Sequence, residues 1–226
     1  MLDLLNKVIP NIMNKPDELW LSIGQTLYMI LISGSVAFIM GLFFGVLLIV
    51  TKPNGILANK GVFSVLSWTI NTFRSIPFVI LLAALIPFSR LVVGTAIGST
   101  GALVPLVIGT VPFFSRQIES ALSSVDYGLV EAAKSMGCSN LGIIFRVYLK
   151  ESIPQIIRVT QITSISLIGL TAMAGAIGGG GLGDFAIRYG HQRGQIDVTW
   201  VTVLVILIMV GIIQGFGNLL IKKFTH

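Results

Sequence analysis

Glu131-Ala132-Ala133-Lys134-Ser135-Met136-Gly137, continued by Cys138 to Pro154, is a polar insert between two strongly apolar stretches. The insert and its flanks hold Glu119, Asp126, Glu131, Lys134, Arg146, Lys150 and Glu151. Charges are costly inside a bilayer, so an apolar chain that gathers them in one internal loop places that loop in water. The loop reads as a short surface helix ending at a glycine, which is the shape of a docking element.

The rest of the chain supplies the membrane context. Of its 226 residues, 54% are hydrophobic and 11% charged, and the mean hydropathy is +0.92. Soluble domains carry about 25% charged residues, so this balance belongs to a polytopic membrane protein. A spanning helix needs about 20 apolar residues, and roughly five such spans fit around the insert. The net charge of +6 does not point to nucleic acid, because the basic residues flank apolar spans. A single cysteine, Cys138, excludes an internal disulfide and any CxxC metal site. The first apolar run follows Asp17-Glu18 rather than a basic segment, so it reads as an uncleaved helix and not a signal sequence.

Span 1 covers about Trp20 to Val50 and stops at the turn cluster Thr51-Lys52-Pro53-Asn54-Gly55. Gly41 and Gly45 within it form a GxxxG pair that allows close helix approach. The next apolar stretch contains Arg74 and Pro77. Proline removes a hydrogen bond and pushes Ile76 out of helical geometry. The spacing predicts an interfacial helix from about Val62 to Phe73, a break, and a shorter membrane helix from about Pro77, with Arg74 at the cytoplasmic boundary. Span 3, about Gly101 to Leu122, holds Pro105 and Pro112. Broken helices at membrane depth are tolerated only against protein or a wet cavity, so this span is expected to face inward. Span 4, about Gln155 to Ile177, places Thr160, Ser164, Leu167 and Thr171 on one helical face. Such a face serves either helix packing or the lining of a substrate path. Ser164, Thr171 and Met173 are the candidate pathway residues, the thioether offering soft contacts to a sulfur-containing cargo. Span 5 runs from about Val198 to Ile221 with a second GxxxG pair, Gly211 and Gly215, and ends in Lys222-Lys223.

With the insert in the cytoplasm and five alternating spans, Lys52, Lys60, Arg116, Lys134, Arg146, Lys150, Arg158, Lys222 and Lys223 lie inside. Lys7, Lys15, Arg90, Arg188 and Arg193 lie outside. The positive-inside rule then puts the N-terminus outside and the C-terminus in the cytoplasm.

Within the insert, Asp126 is placed to cap a helix by accepting backbone N–H bonds, and Glu131 complements the dipole in its first turns. Leu129, Ala132, Ala133 and Met136 recur at i, i+3, i+4 and i+7 as a narrow apolar stripe with two alanines at its centre. Gly137 supplies a left-handed end. Ser139 starts a second helix whose Ile143, Ile144 and Val147 return the chain to the membrane. A helix set in a groove is a standard recognition mode.

Glu-Ala-Ala, three residues, glycine and an apolar return helix together resemble the EAA loop of ABC importer permeases. The resemblance implies that Asp126, Leu129, Glu131, Ala132, Ala133, Met136 and Gly137 form a coupling helix seated in a cleft of a cytoplasmic ATPase subunit. The family pattern continues to Ile-x-Leu-Pro, where this chain has Val147-Tyr148-Leu149-Lys150; the lysine departs from it. Asn71 to Phe78, Ile86-Pro87-Phe88-Ser89-Arg90, Ala172 to Gly178 and Tyr189-Gly190 are similar to the methionine importer permeases, from about Trp20 to the C-terminus.

The resemblance implies an all-α integral membrane protein of about five transmembrane helices, with type I ABC importer permease architecture. It implies one permease domain over residues 1–226, with an N-terminal segment at 1–19 and a coupling loop at about 123–152. It also implies a homodimer in the bacterial cytoplasmic (inner) membrane, served by an extracytoplasmic binding protein or lipoprotein. ATP and Mg would be used by the partner ATPase, since this chain has no Walker lysine motif. A permease for another small amino acid or osmolyte is the near alternative, and an ATP-independent channel or transporter is the distant one.

Gly178 to Asp184 contains a formal GxGxxG. A dinucleotide site needs a preceding strand and a following helix, whereas this run follows a membrane helix. A flexible outer hinge, or a contact for the binding protein, is the expectation there. His191 and His226 have no metal-ligand partner at motif spacing, and no catalytic, cofactor or metal site is expected.

Overall fold

The computed structural model describes residues 9–224; Lys7 and His226 lie outside the described residues. The described residues form helices in chain order. They are α1 (Pro10–Met13), α2 (Pro16–Thr51), α3 (Lys60–Ser75), α4 (Phe78–Ala84), α5 (Ile86–Val93), α6 (Gly98–Ser123), α7 (Tyr127–Ser135), α8 (Asn140–Ile143), α9 (Ile153–Ala174), α10 (Gly181–Phe185) and α11 (Ile196–Phe224). Wider π turns extend α8, α9 and α10 over Ile144–Leu149, Gly175–Gly179 and Ala186–His191. Four helices, α2, α6, α9 with its π turn, and α11, are long and apolar enough to cross a membrane. The bent pair α3–α4 makes up to five, as the sequence predicts.

The chain divides into two compact units. One takes the chain up to Ser35, Pro77–Val107 and Ser164–Ile213; the other takes Val36–Ile76, Ile108–Thr163 and the chain from Gln214 onward. In the first unit, Met29, Ala102, Leu103, Leu106, Leu167 and Ala174 form one core. Ile12, Phe185, Tyr189 and Val198 form another. The core of the second unit joins Ile49, Val50, Phe114, Ile118 and Leu122 to Val130, Ala133, Ile143, Ile144 and Tyr148 of the polar insert.

Span 1 is a single helix of 36 residues, about 54 Å at 1.5 Å per residue, well beyond one bilayer core. Pro16 opens it, a position where the missing N–H costs nothing, and Asp17 and Glu18 sit in its first turn. Its GxxxG pair does allow close approach. A Cβ at Gly41 would lie 2.5 Å from the Phe114 ring, and one at Gly45 would lie 2.5 Å from Ile118. The second pair is different, because nothing lies within 4 Å of a Cβ at Gly211 or Gly215.

Asn59 caps α3 by accepting from the Val62 N–H at 3.1 Å. The helix stops where Ile76 turns extended ahead of Pro77, so the break falls where proline sterics put it. Arg74 occupies the last turn of α3, where a cation complements the dipole. Span 3 corrects one expectation: α6 passes through Pro105 and Pro112 without a break. Its apolar window is 61% buried, against 11% for α11, so packing on most sides holds the helix together. The expected inward placement stands.

The glycine run is not a flexible hinge. The Gly181 N–H donates to Gln25 Oε1 at 2.7 Å and the Leu182 N–H to Thr26 Oγ1 at 2.9 Å. A Cβ at Gly183 would fall 2.3 Å from the Ala172 carbonyl oxygen, and one at Gly175 would fall 2.5 Å from the Asp184 nitrogen. Glycine serves here for close backbone packing, with Gly178, Gly180 and Gly181 also at positive φ. The segment before the run is helix rather than strand, so the dinucleotide context is missing.

Candidate functional site: the Ser123–Ser152 loop

The loop folds as two arms and a cap. Asp126 Oδ1 accepts the Gly128 N–H at 2.8 Å and starts α7. Since α7 begins at Tyr127, Glu131 lies beyond its first turn, and the charge at the helix N-terminus comes from Asp126. The far end closes as a Schellman motif. The Gly137 N–H bonds the Lys134 carbonyl at 2.9 Å, and the Cys138 N–H bonds the Ala133 carbonyl at 3.0 Å. Gly137 takes φ +77°, as its place in the sequence predicts. Ser139 Oγ then accepts the Gly142 N–H at 3.2 Å and starts the return arm.

Packing divides the predicted stripe. Val130 (1% exposed) and Ala133 (4%) face inward on Ile143, Ile144 and Tyr148. Burying a valine contributes about 1.5–3 kcal/mol. Ala133 therefore belongs to the inner seam and is not part of an outward stripe. It lies three residues after Val130, and the two form the side of α7 turned to the core. Leu129 (47% exposed), Ala132 and Met136 (76% exposed) remain outside. Glu131 and Lys134 are exposed beside them.

Three exposed apolar side chains were not singled out in the sequence: Tyr127, Leu141 and Phe145. Leu141 and Phe145 stand four residues apart, on the side of the return arm opposite Ile143, Ile144 and Val147. The helical period that assigns the inward residues could therefore have found them.

The loop is fixed at its base. Buried Ser152 donates from Oγ to the Ala121 carbonyl at 3.3 Å, tying the return arm to the end of α6. Burial and the neighbouring Tyr127 phenol push the Tyr148 phenol upward, so it stays neutral. Glu119 lies on α6 and pairs with Arg116 at 2.6 Å, and Arg116 Nη2 donates to Ser67 Oγ on α3. Lys150, the departure from the family pattern, is exposed and has helical backbone angles. Cys138 is exposed and free.

The pathway candidates separate. Thr171 is buried, and its hydroxyl bonds back to the Ile168 carbonyl at 2.7 Å. Leu167 on the same face is also buried, while Ser164 is half-buried. Met173, 40% exposed, lies on another face with Ser166, Gly169 and Ala176, which are exposed at i, i+3, i+7 and i+10. This second periodicity was readable in the sequence. Nearby, Leu82, Ala96–Gly98, Ala102 and Ile177–Gly179 enclose a cavity of about 300 Å³. Among the described residues no group of His, Cys, Asp and Glu is arranged to hold a metal ion.

Comparison with known proteins agrees with this architecture. Residues 37–226 match the family described as binding-protein-dependent transport system inner membrane component. The methionine import system permease protein MetP of Bacillus subtilis is 47% identical over 217 residues, 96% of this chain and 97% of that protein. The D-methionine transport system permease protein MetI of Escherichia coli is 44% identical over 160 residues, 70% of this chain and 74% of that protein. A solved structure described as an inward-facing conformation of the MetNI methionine ABC transporter superposes with a TM-score of 0.90 at 40% identity. It covers 94% of this chain and 99% of its own. With its membrane-length helices and capped polar loop, the chain belongs to the binding-protein-dependent inner-membrane component family, the type I ABC importer permeases.

Proposed function

We propose that this chain is the non-catalytic permease of an ATP-driven methionine importer. The single observation that carries the reading is α7, capped at both ends and anchored by Val130 and Ala133, with Leu129, Ala132 and Met136 exposed. A helix held on one side and bare on the other is built to seat in a partner's groove. Names given to relatives support the cargo: MetP of Bacillus subtilis is called a methionine import permease, and the superposed structure is called a methionine ABC transporter.

On this reading residues 1–226 act as one permease domain, with an N-terminal segment at 1–19 and the coupling loop at 123–152. Two copies form the pathway. Cytoplasmic ATPase subunits, which use ATP and Mg, grip Asp126, Leu129, Glu131, Ala132, Met136 and Gly137, while Ala133 braces the helix from behind. An extracytoplasmic binding protein or lipoprotein delivers substrate. The N-terminus lies outside and the C-terminus inside the inner membrane, following the bias of basic residues. ATP-driven closure moves the two loops together, a rigid-body switch between two states. Ser164, Thr171 and Met173 stay assigned to the translocation pathway, with exposed Met173 the one placed to contact cargo.

The test is gentle extraction of the chain with a candidate ATPase, followed by methionine uptake in proteoliposomes. Co-purification together with ATP-dependent uptake is expected. Failure to form any complex, or uptake that continues without ATP, points to the channel class instead. A complex that carries a different amino acid refutes only the cargo.

A further inference from the structure

We propose that Tyr189, with Lys15, Arg188 and Arg193 around its ring, forms a headgroup site for an anionic phospholipid. This inference rests on membership of the membrane family and is independent of the methionine reading. Lys15 Nζ stands 4.3 Å from the ring centroid, Arg188 Cζ 4.9 Å and Arg193 Cζ 4.6 Å. The wide π turn over Ala186–His191 presents Arg188 and Tyr189 together. Three cations around one ring lie within about a screening length of one another, which is about 8 Å at physiological ionic strength, so they repel. The quadrupole of the phenol ring attracts each of them but neutralises none.

The neighbouring carboxylates do not complete the balance. Asp184 pairs with Arg188 at 2.6 Å. Asp197 accepts from the backbone N–H and side-chain amide of Asn11, each at 2.9 Å, and among the described residues it forms no ion pair with Lys15 or Arg193. Asp17 and Glu18 sit in the first turn of α2. Among the described residues neither forms an ion pair with Lys15 or Arg193. Among the described residues Lys15 and Arg193 thus converge on one aromatic without an ion-pair partner, an arrangement suited to taking up a phosphate.

The depth of the site selects a lipid. Tyr189 packs in one apolar cluster with Ile12, Phe185 and Val198, and Leu19 and Val201 pack against that cluster. Trp20 and Trp200 are the chain neighbours of Leu19 and Val201, and they are 70% and 69% exposed. Exposed tryptophans on membrane helices sit at headgroup level. Leu21 and Leu204, each 57% exposed, carry the apolar surface onward for acyl chains. The cations therefore stand where lipid phosphates are, beside a surface that suits lipid tails. An acidic protein segment would use the charges and leave the tryptophans without a role.

The experiment uses the full chain, purified and exchanged into nanodiscs of phosphatidylglycerol mixed with phosphatidylcholine. Lipid retained after release into detergent is counted by native mass spectrometry. Wild type is expected to retain phosphatidylglycerol over phosphatidylcholine. The double variant Lys15→Gln/Arg193→Gln should lose about 30-fold in that preference, about fivefold per charge. Lys15→Arg/Arg193→Lys should keep it, as should Lys222→Gln/Lys223→Gln at the end of α11. Equal retention of both lipids by wild type, or an unchanged preference in the glutamine double variant, overturns the site. So does displacement of the bound lipid by millimolar inorganic phosphate, which would identify a free-phosphate site. An unchanged lipid preference with lost binding of the partner binding protein would reassign the cluster to protein docking.

Discussion

The backbone N–H of Cys138 meets the carbonyl oxygen of Ala133 at 3.0 Å, across a glycine held at φ +77°. The same peptide unit that ends α7 thus belongs to a residue buried against the return arm. The cap and the inner seam of the loop are one structure, so an error at Gly137 is transmitted to Ala133.

Gly137→Leu tests that link. Nothing lies within 4 Å of an added Cβ, so the cost is conformational rather than steric. It amounts to about 1–2 kcal/mol for a left-handed non-glycine residue. The variant should insert normally and bind the ATPase less well, with ATP hydrolysis running without matching uptake. Gly137→Asn, which tolerates the conformation better, should fall between. The measurement is hydrolysis and uptake in the same proteoliposomes; full coupling in the leucine variant counts against the lever.

The two alanines of the EAA sequence should respond in opposite ways. Ala133→Leu forces extra volume into a seam already filled by Ile143 and Tyr148, costing about 1–3 kcal/mol of stability. Ala132→Leu and Met136→Asp change only exposed positions. They should leave the unfolding temperature nearly unchanged while weakening ATPase association about tenfold, equivalent to roughly 1.4 kcal/mol. Thermal unfolding and a binding titration on the three variants separate the faces. Equal behaviour of Ala132→Leu and Ala133→Leu would contradict the division.

Much of this is legible in the sequence. The span count, the Pro77 break, the Asp126 cap and the Gly137 turn each follow from a local rule that one residue type enforces. What was not legible depended on which neighbour arrives from far away in the chain. Ala132 and Ala133 are identical in sequence, and only Ile143, Ile144 and Tyr148 decide that one of them is covered. Thr171 reads as a polar lining residue until its hydroxyl is seen bonded within its own helix. The glycine run reads as flexible because its restraints, Gln25 and Thr26, are 156 residues away. Pro105 and Pro112 read as a break because sequence gives no measure of the packing around α6.

Removing those restraints should loosen the run. Thr26→Val leaves the Leu182 N–H without its acceptor, at a cost of about 1–3 kcal/mol for a buried donor. Gln25→Leu does the same to Gly181. Both variants should expose Gly178–Asp184 to protease in the solubilised protein and lower its unfolding temperature. Resistance equal to wild type would mean that the glycine packing alone holds the segment.

The two GxxxG pairs offer the sharpest contrast, since the motif is the same and the surroundings differ. At Gly45 an added Cβ would lie 2.5 Å from Ile118 and 2.9 Å from the Ser115 carbonyl oxygen, so even alanine forces the helices apart. Helix association in lipid depends on such close approach, because no hydrophobic drive replaces it. Gly45→Ala is therefore expected to lower the unfolding temperature of the solubilised chain and to reduce the yield of inserted protein. Gly211→Ala and Gly215→Ala meet open space on a helix whose apolar window is only 11% buried. They should change monomer stability by no more than about 0.5 kcal/mol. Any effect they have must then appear in contacts outside this chain, read as a shift in oligomeric state by mass in mild detergent. A Gly45→Ala protein as stable as the Gly211→Ala protein would show that the α2–α6 contact is looser than the 2.5 Å clearance implies.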